Sequence, residues 1–181
     1  RFHAGAPLRP QGGGGRALKF TIDSNAHLLR ELAPRLGVER VETLIAATEA
    51  EFGRRAALLD ARAVGGFARH CLGVLHLCNI LLEDGRPILF VCIEFNDTLS
   101  EIDVQYDIAF LLMDLDFRRR RDAAVRVLSA YLDEAARNFG TELWDGLSAL
   151  PLMMSVRAAA RTHVWAHVDD DASASAYLDA A

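Results

Sequence analysis

The chain has 181 residues, of which 51% are apolar and 25% charged, with a formal net charge of −5. That balance belongs to a folded globular domain with residues enough for a core, and it excludes a disordered chain. An acidic total gives no broad basic face for a nucleic-acid backbone. No apolar run reaches the roughly 18 residues of a membrane span, and no signal-peptide pattern opens the sequence, so a cytoplasmic protein is expected. The opening at Arg1 rather than Met reads as a fragment or a processed form.

In chain order, "PQGGGGR" at 10–16 reads as a flexible loop, because consecutive glycines bury nothing. It separates an N-terminal segment, 1–16, from the main body, 17–168. Asp23 or Ser24 can cap a short helix through Leu32, ended by Pro34 to Gly37. From Val38 to about Ala63, the residues Val38, Val41, Leu44, Ile45, Phe52, Ala56 and Leu59 recur at three- and four-residue steps, with Thr48 filling the one gap, which predicts a long amphipathic helix broken by Gly65 and Gly66.

The period then changes. "ILLE" and "ILFVCIEF" flank Asp84 and Gly85, the pair suited to the positive backbone angles of a tight turn. A small antiparallel hairpin is therefore predicted, after a loop from Cys71 to Cys78. Helical spacing returns over Ile102–Leu115, Asp122–Asn138 and Leu150–His167, with breaks at Gly140 and Gly146. Ala172–Ala181 reads as a weak helix or a frayed tail within a terminal segment, 169–181. The sum is an α+β, mostly helical lobe with one hairpin packed into it.

Isolated residues carry plain readings. Cys71, Cys78 and Cys92 contain no C-x-x-C pair, which points to reduced, mostly buried thiols rather than a disulfide framework or a zinc site. Arg118 to Arg121, among Asp114, Asp116 and Asp122, read as a solvated helix start. Arg157 and Arg161, four apart, could meet an anionic substrate, but pairing with nearby carboxylates is the expected arrangement. His163 and His167 share that spacing without the Glu of a zincin. Met113, Met153 and Met154 read as core, and Trp144 and Trp165 as packing anchors.

The chemistry concentrates in residues 70–97, "HCLGVLHLCNILLEDGRPILFVCIEFND". Phosphoryl transfer needs a carboxylate to orient the attacking hydroxyl and oxygen ligands to hold magnesium on the phosphates. The protein-kinase loop H-R-D-x-x-x-x-N supplies an Asp and, five residues on, an Asn. Here Leu72, Gly73 and Val74 fill the first three places and Asn79 falls five residues after Val74. The spacing is that of the loop; the His and the Asp are not. Read without that comparison, Val74 and Val91 are strand-core residues.

On these residues the chain resembles the aminoglycoside-phosphotransferase-like branch of the protein-kinase-like fold. More closely, it resembles the kinase-like half of bacterial proteins that join such a domain to a P-loop ATP-binding domain. That family's first loop reads approximately "CHGDLHLGNI", against "CLGVLHLCNI" at 71–80. Its second reads approximately "LFDCIEFND", against "LFVCIEFND" at 89–97. "IDVQYDIAFLLMDLDF" and "SVRAAARTHV" are similar to later helices, and the likeness extends from "FHAGAP" to about His167.

The resemblance implies a protein-kinase-like C-terminal lobe whose family reaction moves the γ-phosphate of ATP, with Mg²⁺, to a small-molecule hydroxyl. It implies that Asn79 matches a magnesium ligand, that His76 helps shape the catalytic loop and that Asp107 props that loop by hydrogen bonding. Glu94 falls near the metal position. Val74 stands at the place of the catalytic Asp, and Val91 at that of the principal magnesium-binding Asp.

A positioned base contributes about 10² to 10⁴ in rate, and hydrocarbon cannot ligate a cation that demands oxygen. Kinase activity is therefore expected to be absent, with no cofactor held by this chain. The family's N-terminal kinase lobe and P-loop domain would be its missing partners: Lys19 is the sole lysine, and no G-x-x-x-x-G-K-[ST] occurs. Without them, exposed apolar surface is expected to favour self-association. The alternative reading is a non-catalytic, pseudokinase-like scaffold or an engineered partner-binding domain.

Overall fold

The computed structural model describes residues 1–181 as eight α-helices and two two-stranded antiparallel sheets, an α+β and mostly helical architecture. The helix α1 (Phe2–Gly5) is one turn, and its His3 is buried. α2 (Gly14–Leu36) and α3 (Val38–Arg62) form an antiparallel pair joined at Gly37, where φ is 99°. Lys19 reaches Glu49 and Arg30 reaches Glu42 across the seam. The amphipathic helix read from Val38 is present as α3.

The glycine run differs from its expectation, and the reason is steric. A Cβ on Gly13, at φ 63°, would stand 2.7 Å from the Ala68 methyl, and one on Gly12 would stand 2.6 Å from the Glu101 Cβ. Gly13 N donates to Glu101 O, and Gly15 N to Asp60 Oδ1 at 2.8 Å. The glycines permit close approach of backbones rather than freedom. α2 therefore starts at Gly14, not at Asp23, and it passes through Pro34 to Leu36.

β1 (Ala68–His70) pairs with β4 (Glu101–Asp103) in the register Ala68↔Asp103. β2 (Ile80–Glu83) and β3 (Arg86–Leu89) form the hairpin, turned by Asp84 at φ 50° and Gly85 at φ 74°. This is the two-residue turn read from the sequence. The hairpin is not packed into the lobe: Leu82 is 71% exposed, and Leu81, Ile88, Leu89 and Phe90 also face solvent. Only Ile88 and Leu89 of "ILFVCIEF" lie in a strand. Neither Val74 nor Val91 lies in a strand, and both are half-buried.

After the one-turn α4 (Asp97–Ser100), α5 (Val104–Phe117) begins two residues later than expected. Ile102 is taken into β4, and Asp103 caps the helix by accepting from Gln105 N at 2.7 Å. α5 is buried almost all round, including Ile108, Phe110, Leu112 and Leu115, as suits a central helix. α6 (Arg121–Phe139) and α7 (Leu150–His167) flank it, with a 3₁₀ stretch at Thr141–Ala149 between them.

The end of the chain is ordered helix rather than frayed tail. α8 (Asp171–Ala180) buries Ala174, Tyr177 and Leu178, and Tyr177 stacks on Phe117 with ring centroids 3.6 Å apart. Of the cysteines, only Cys71 is buried; Cys78 and Cys92 are exposed, and all three are free. Met113 and Met153 are core, but Trp144 lies 47% exposed and anchors nothing. No helix is long and apolar enough to cross a membrane.

Candidate functional site

Beyond His70 the chain leaves β1 into the loop Cys71–Asn79, and two carboxylates of α5 hold it. Asp107 accepts from Leu72 N at 3.1 Å and Gly73 N at 3.0 Å. It also meets His3 Nε2 at 3.0 Å, whose Nδ1 contacts Tyr131 OH at 3.0 Å. Asp114 accepts from Leu77 N at 3.0 Å, and is buried. The sequence grouped Asp114 with the solvated charges around Arg118; instead it is a second loop anchor, salt-bridged to Arg118 at 3.2 Å. The spacing of seven residues, two helical turns, was the available signal.

Gly73, at φ 74°, leaves room for the segment after the hairpin, because a Cβ there would come within 2.6 Å of Leu99 O and 2.9 Å of Ile93 Cδ1. Ile93 N donates to Leu72 O at 2.9 Å. Asn79 closes the loop on itself: its Nδ2 donates to Val74 O at 2.9 Å and lies 3.3 Å from His76 Nε2. His76 packs on Phe110, with centroids 5.0 Å apart. Burial, then the Arg161 guanidinium, pushes the His76 pKa down, so its imidazole favours the neutral form.

The loop borders a cleft of about 450 Å³ between α2, the Ile93–Leu99 segment and α7. Gly73, Val74 and His76 reach it, facing Phe20, Asn25, Arg157 and Arg161. No Asp or Glu lines it. A cavity of about 510 Å³ lies elsewhere, beside Asp116, Phe117 and Asp179. No residue of the loop Cys71–Asn79 borders the larger one.

The structure thus gathers Val74, His76 and Asn79 in one loop and ties that loop to Asp107. Val91 and Glu94 do not join the cleft lining. Glu94 is exposed and accepts from Cys92 Sγ at 3.4 Å, while Ile93 is the residue turned inward. These donors do not fit magnesium on a nucleotide. Val74 is hydrocarbon, Asn79 offers only its neutral Oδ1, and no carboxylate faces the cleft.

Another grouping, His3, Cys71 and Asp107, brings its ligand atoms within 4.8 Å of one another. Burial, then the Asp107 charge, pushes the Cys71 thiol well above its ordinary range. Without a metal the thiol therefore holds its proton.

The arginines of α7 differ from expectation. Neither Arg157 nor Arg161 pairs with a carboxylate. Arg157 is buried, lies 3.8 Å over the Tyr106 ring and donates from Nε to Tyr106 O at 3.3 Å. Arg161 lies 5.3 Å over Trp165. Trp165 and Tyr106 supply aromatic faces where the sequence suggested counter-charges. His163 Nε2 meets Asn25 Oδ1 at 3.2 Å, and burial, then His167, pushes its pKa down to about 4. The contributions of Phe20 and Asn25 had no signal in the sequence, since they reach the cleft only through the packing of α2 on α7.

No family model matches the chain, and no solved structure matches it. A stretch of 53 residues, 29% of this chain, is 45% identical to uncharacterized proteins Rv2004c of Mycobacterium tuberculosis and Mb2027c of Mycobacterium bovis. The match covers 11% of each of those proteins.

Proposed function

We propose that the chain is a protein-kinase-like C-terminal lobe, of the aminoglycoside-phosphotransferase-like kind, that has lost phosphoryl transfer and kept a small-molecule cleft. The observation that carries this reading is the loop itself. Asn79 binds the carbonyl of Val74 five residues earlier, and Asp107 holds the amides of Leu72 and Gly73, so a positioning frame stands around a residue with nothing to position. The cleft's charge supports the loss as well. Arg157 and Arg161 with no carboxylate repel polycationic or quaternary-ammonium acceptors. Such a lobe acts by binding, alone or joined to nucleotide-binding domains, and a non-catalytic scaffold is its broader form.

The test is a metal-binding rescue. Val74→Asp combined with Val91→Asp is expected to create an Mn²⁺ site, read by electron paramagnetic resonance. Adding Asn79→Leu in that background is expected to remove it. A double variant that binds no Mn²⁺ while remaining folded would show that these positions do not mark an ancestral metal site.

A further inference from the structure

We propose that the cleft beside Val74 is a metal-independent site for a small phosphate monoester with a compact apolar body, its dianion held by Arg157 and Arg161. Three observations carry this. First, Arg157 is 6% exposed, yet only its Nε is hydrogen-bonded, and its Nη2 is enclosed with no partner. A guanidinium taken out of water without a counter-charge is unfavourable, and here no carboxylate lies within ion-pair reach to repay it. An anion in the cleft supplies what the chain does not.

Second, Arg161 borders the same cleft one helical turn further on, half-buried over the Trp165 and Tyr177 rings and with no carboxylate in ion-pair reach. The lining therefore carries two fixed positive charges and no negative one, in a chain whose net charge is −5. Two forked guanidiniums match the geometry and charge of a phosphate dianion better than those of a monoanionic carboxylate. Third, Phe20, Val74, Ile93 and Phe110 give the wall an apolar part, beside the neutral polar Thr21, Ser24, Asn25 and Asn96, and the volume of about 450 Å³ suits a small organic ligand. The hydrocarbon at Val74, which is useless to a metal, becomes contact surface for the ligand body.

The inference shares its cleft with the kinase-like reading, but the two tests can fail separately: the metal rescue reads Val74, Val91 and Asn79, and the phosphate titration reads Arg157 and Arg161. Phenyl phosphate, inorganic phosphate, benzoate and phenol are titrated into the full chain at pH 7.5, with EDTA and constant ionic strength, by calorimetry. Phenyl phosphate is expected to bind saturably, benzoate and inorganic phosphate more weakly, and phenol not at all. Arg161→Gln is expected to weaken phenyl phosphate about tenfold or more. Arg126→Gln, on the exposed face of α6, is expected to leave it unchanged. Arg157→Gln provides a second reading if its melting temperature shows it folded. Absence of saturable phenyl phosphate binding, equal or tighter benzoate binding, or equal weakening by Arg126→Gln would each overturn the proposal.

Discussion

Asp107 and Asp114 stand two turns apart on α5, and both accept backbone amides from the loop Cys71–Asn79: Asp107 from Leu72 at 3.1 Å and Gly73 at 3.0 Å, Asp114 from Leu77 at 3.0 Å. One helix thus fixes both ends of the loop, and its carboxylates add to the bonds that the loop makes within itself from Asn79 and His76 to Val74 O. Removing the Asp107 acceptor orphans two buried amides and the His3 ring nitrogen. Asp107→Ala is expected to lower stability by about 3 kcal/mol or more, measured by urea unfolding. A loss below about 1 kcal/mol would show that the loop is held by other contacts.

Two glycines give opposite expectations. Gly13 combines φ 63° with a Cβ position 2.7 Å from the Ala68 methyl, whereas a Cβ on Gly53 in α3 meets nothing within 4 Å. Gly13→Ala is expected to cost about 2 kcal/mol or more, from left-handed strain and overpacking. Gly53→Ala is expected to stabilise by roughly 0.5–1 kcal/mol, because it removes helix-interior glycine entropy. Thermal melts of the two variants check the pair, and shifts of the same sign would contradict it.

Acid should weaken the fold through its neutral histidines. Burial holds the His163 pKa at about 4, below its ordinary 6.5, and lowers that of His76 as well. His163 faces His167 and Asn25; His76 faces Arg161, Asp114, Arg157 and Arg118. A depressed histidine pKa means that the unfolded chain takes up protons first as pH falls. The stability held by the neutral rings is complete above pH 6.5 and declines toward pH 4. Urea midpoints measured against pH should fall more steeply for the natural sequence than for His163→Gln over that window. Parallel curves would remove His163 from the account.

The hairpin should contribute little to stability, despite its apolar residues. Leu82 is 71% exposed in β2, so Leu82→Lys is expected to change stability by less than about 0.5 kcal/mol. A loss above about 2 kcal/mol would mean that the strand packs against the lobe in solution.

Local patterns in the sequence reached some of this architecture. The apolar spacing of α3 and the Asp84-Gly85 turn depend on near neighbours, and both are present. Features set by distant partners were not legible. The glycines at 12–15 read as a loop because Ala68, Glu101 and Asp60, which crowd them, lie far along the chain. Asp114 read as surface charge because its partner amide at Leu77 belongs to another element. Arg157 and Arg161 were visible as a pair, but the expected carboxylate partners were replaced by the Tyr106 and Trp165 rings. α8 looked frayed because Phe117, on which Tyr177 stacks, is the contact that orders it.

On the proposed reading, hydrocarbon at Val74 and Val91 leaves this loop unable to hold a metal nucleotide. Its most direct test is calorimetric titration of Mg²⁺ with a non-hydrolysable ATP analogue into the purified, unaltered chain. The expected result is no saturable, magnesium-dependent heat. A stoichiometric, magnesium-dependent isotherm abolished by Asn79→Leu would contradict the account, because it would place a working metal site where only one neutral oxygen remains.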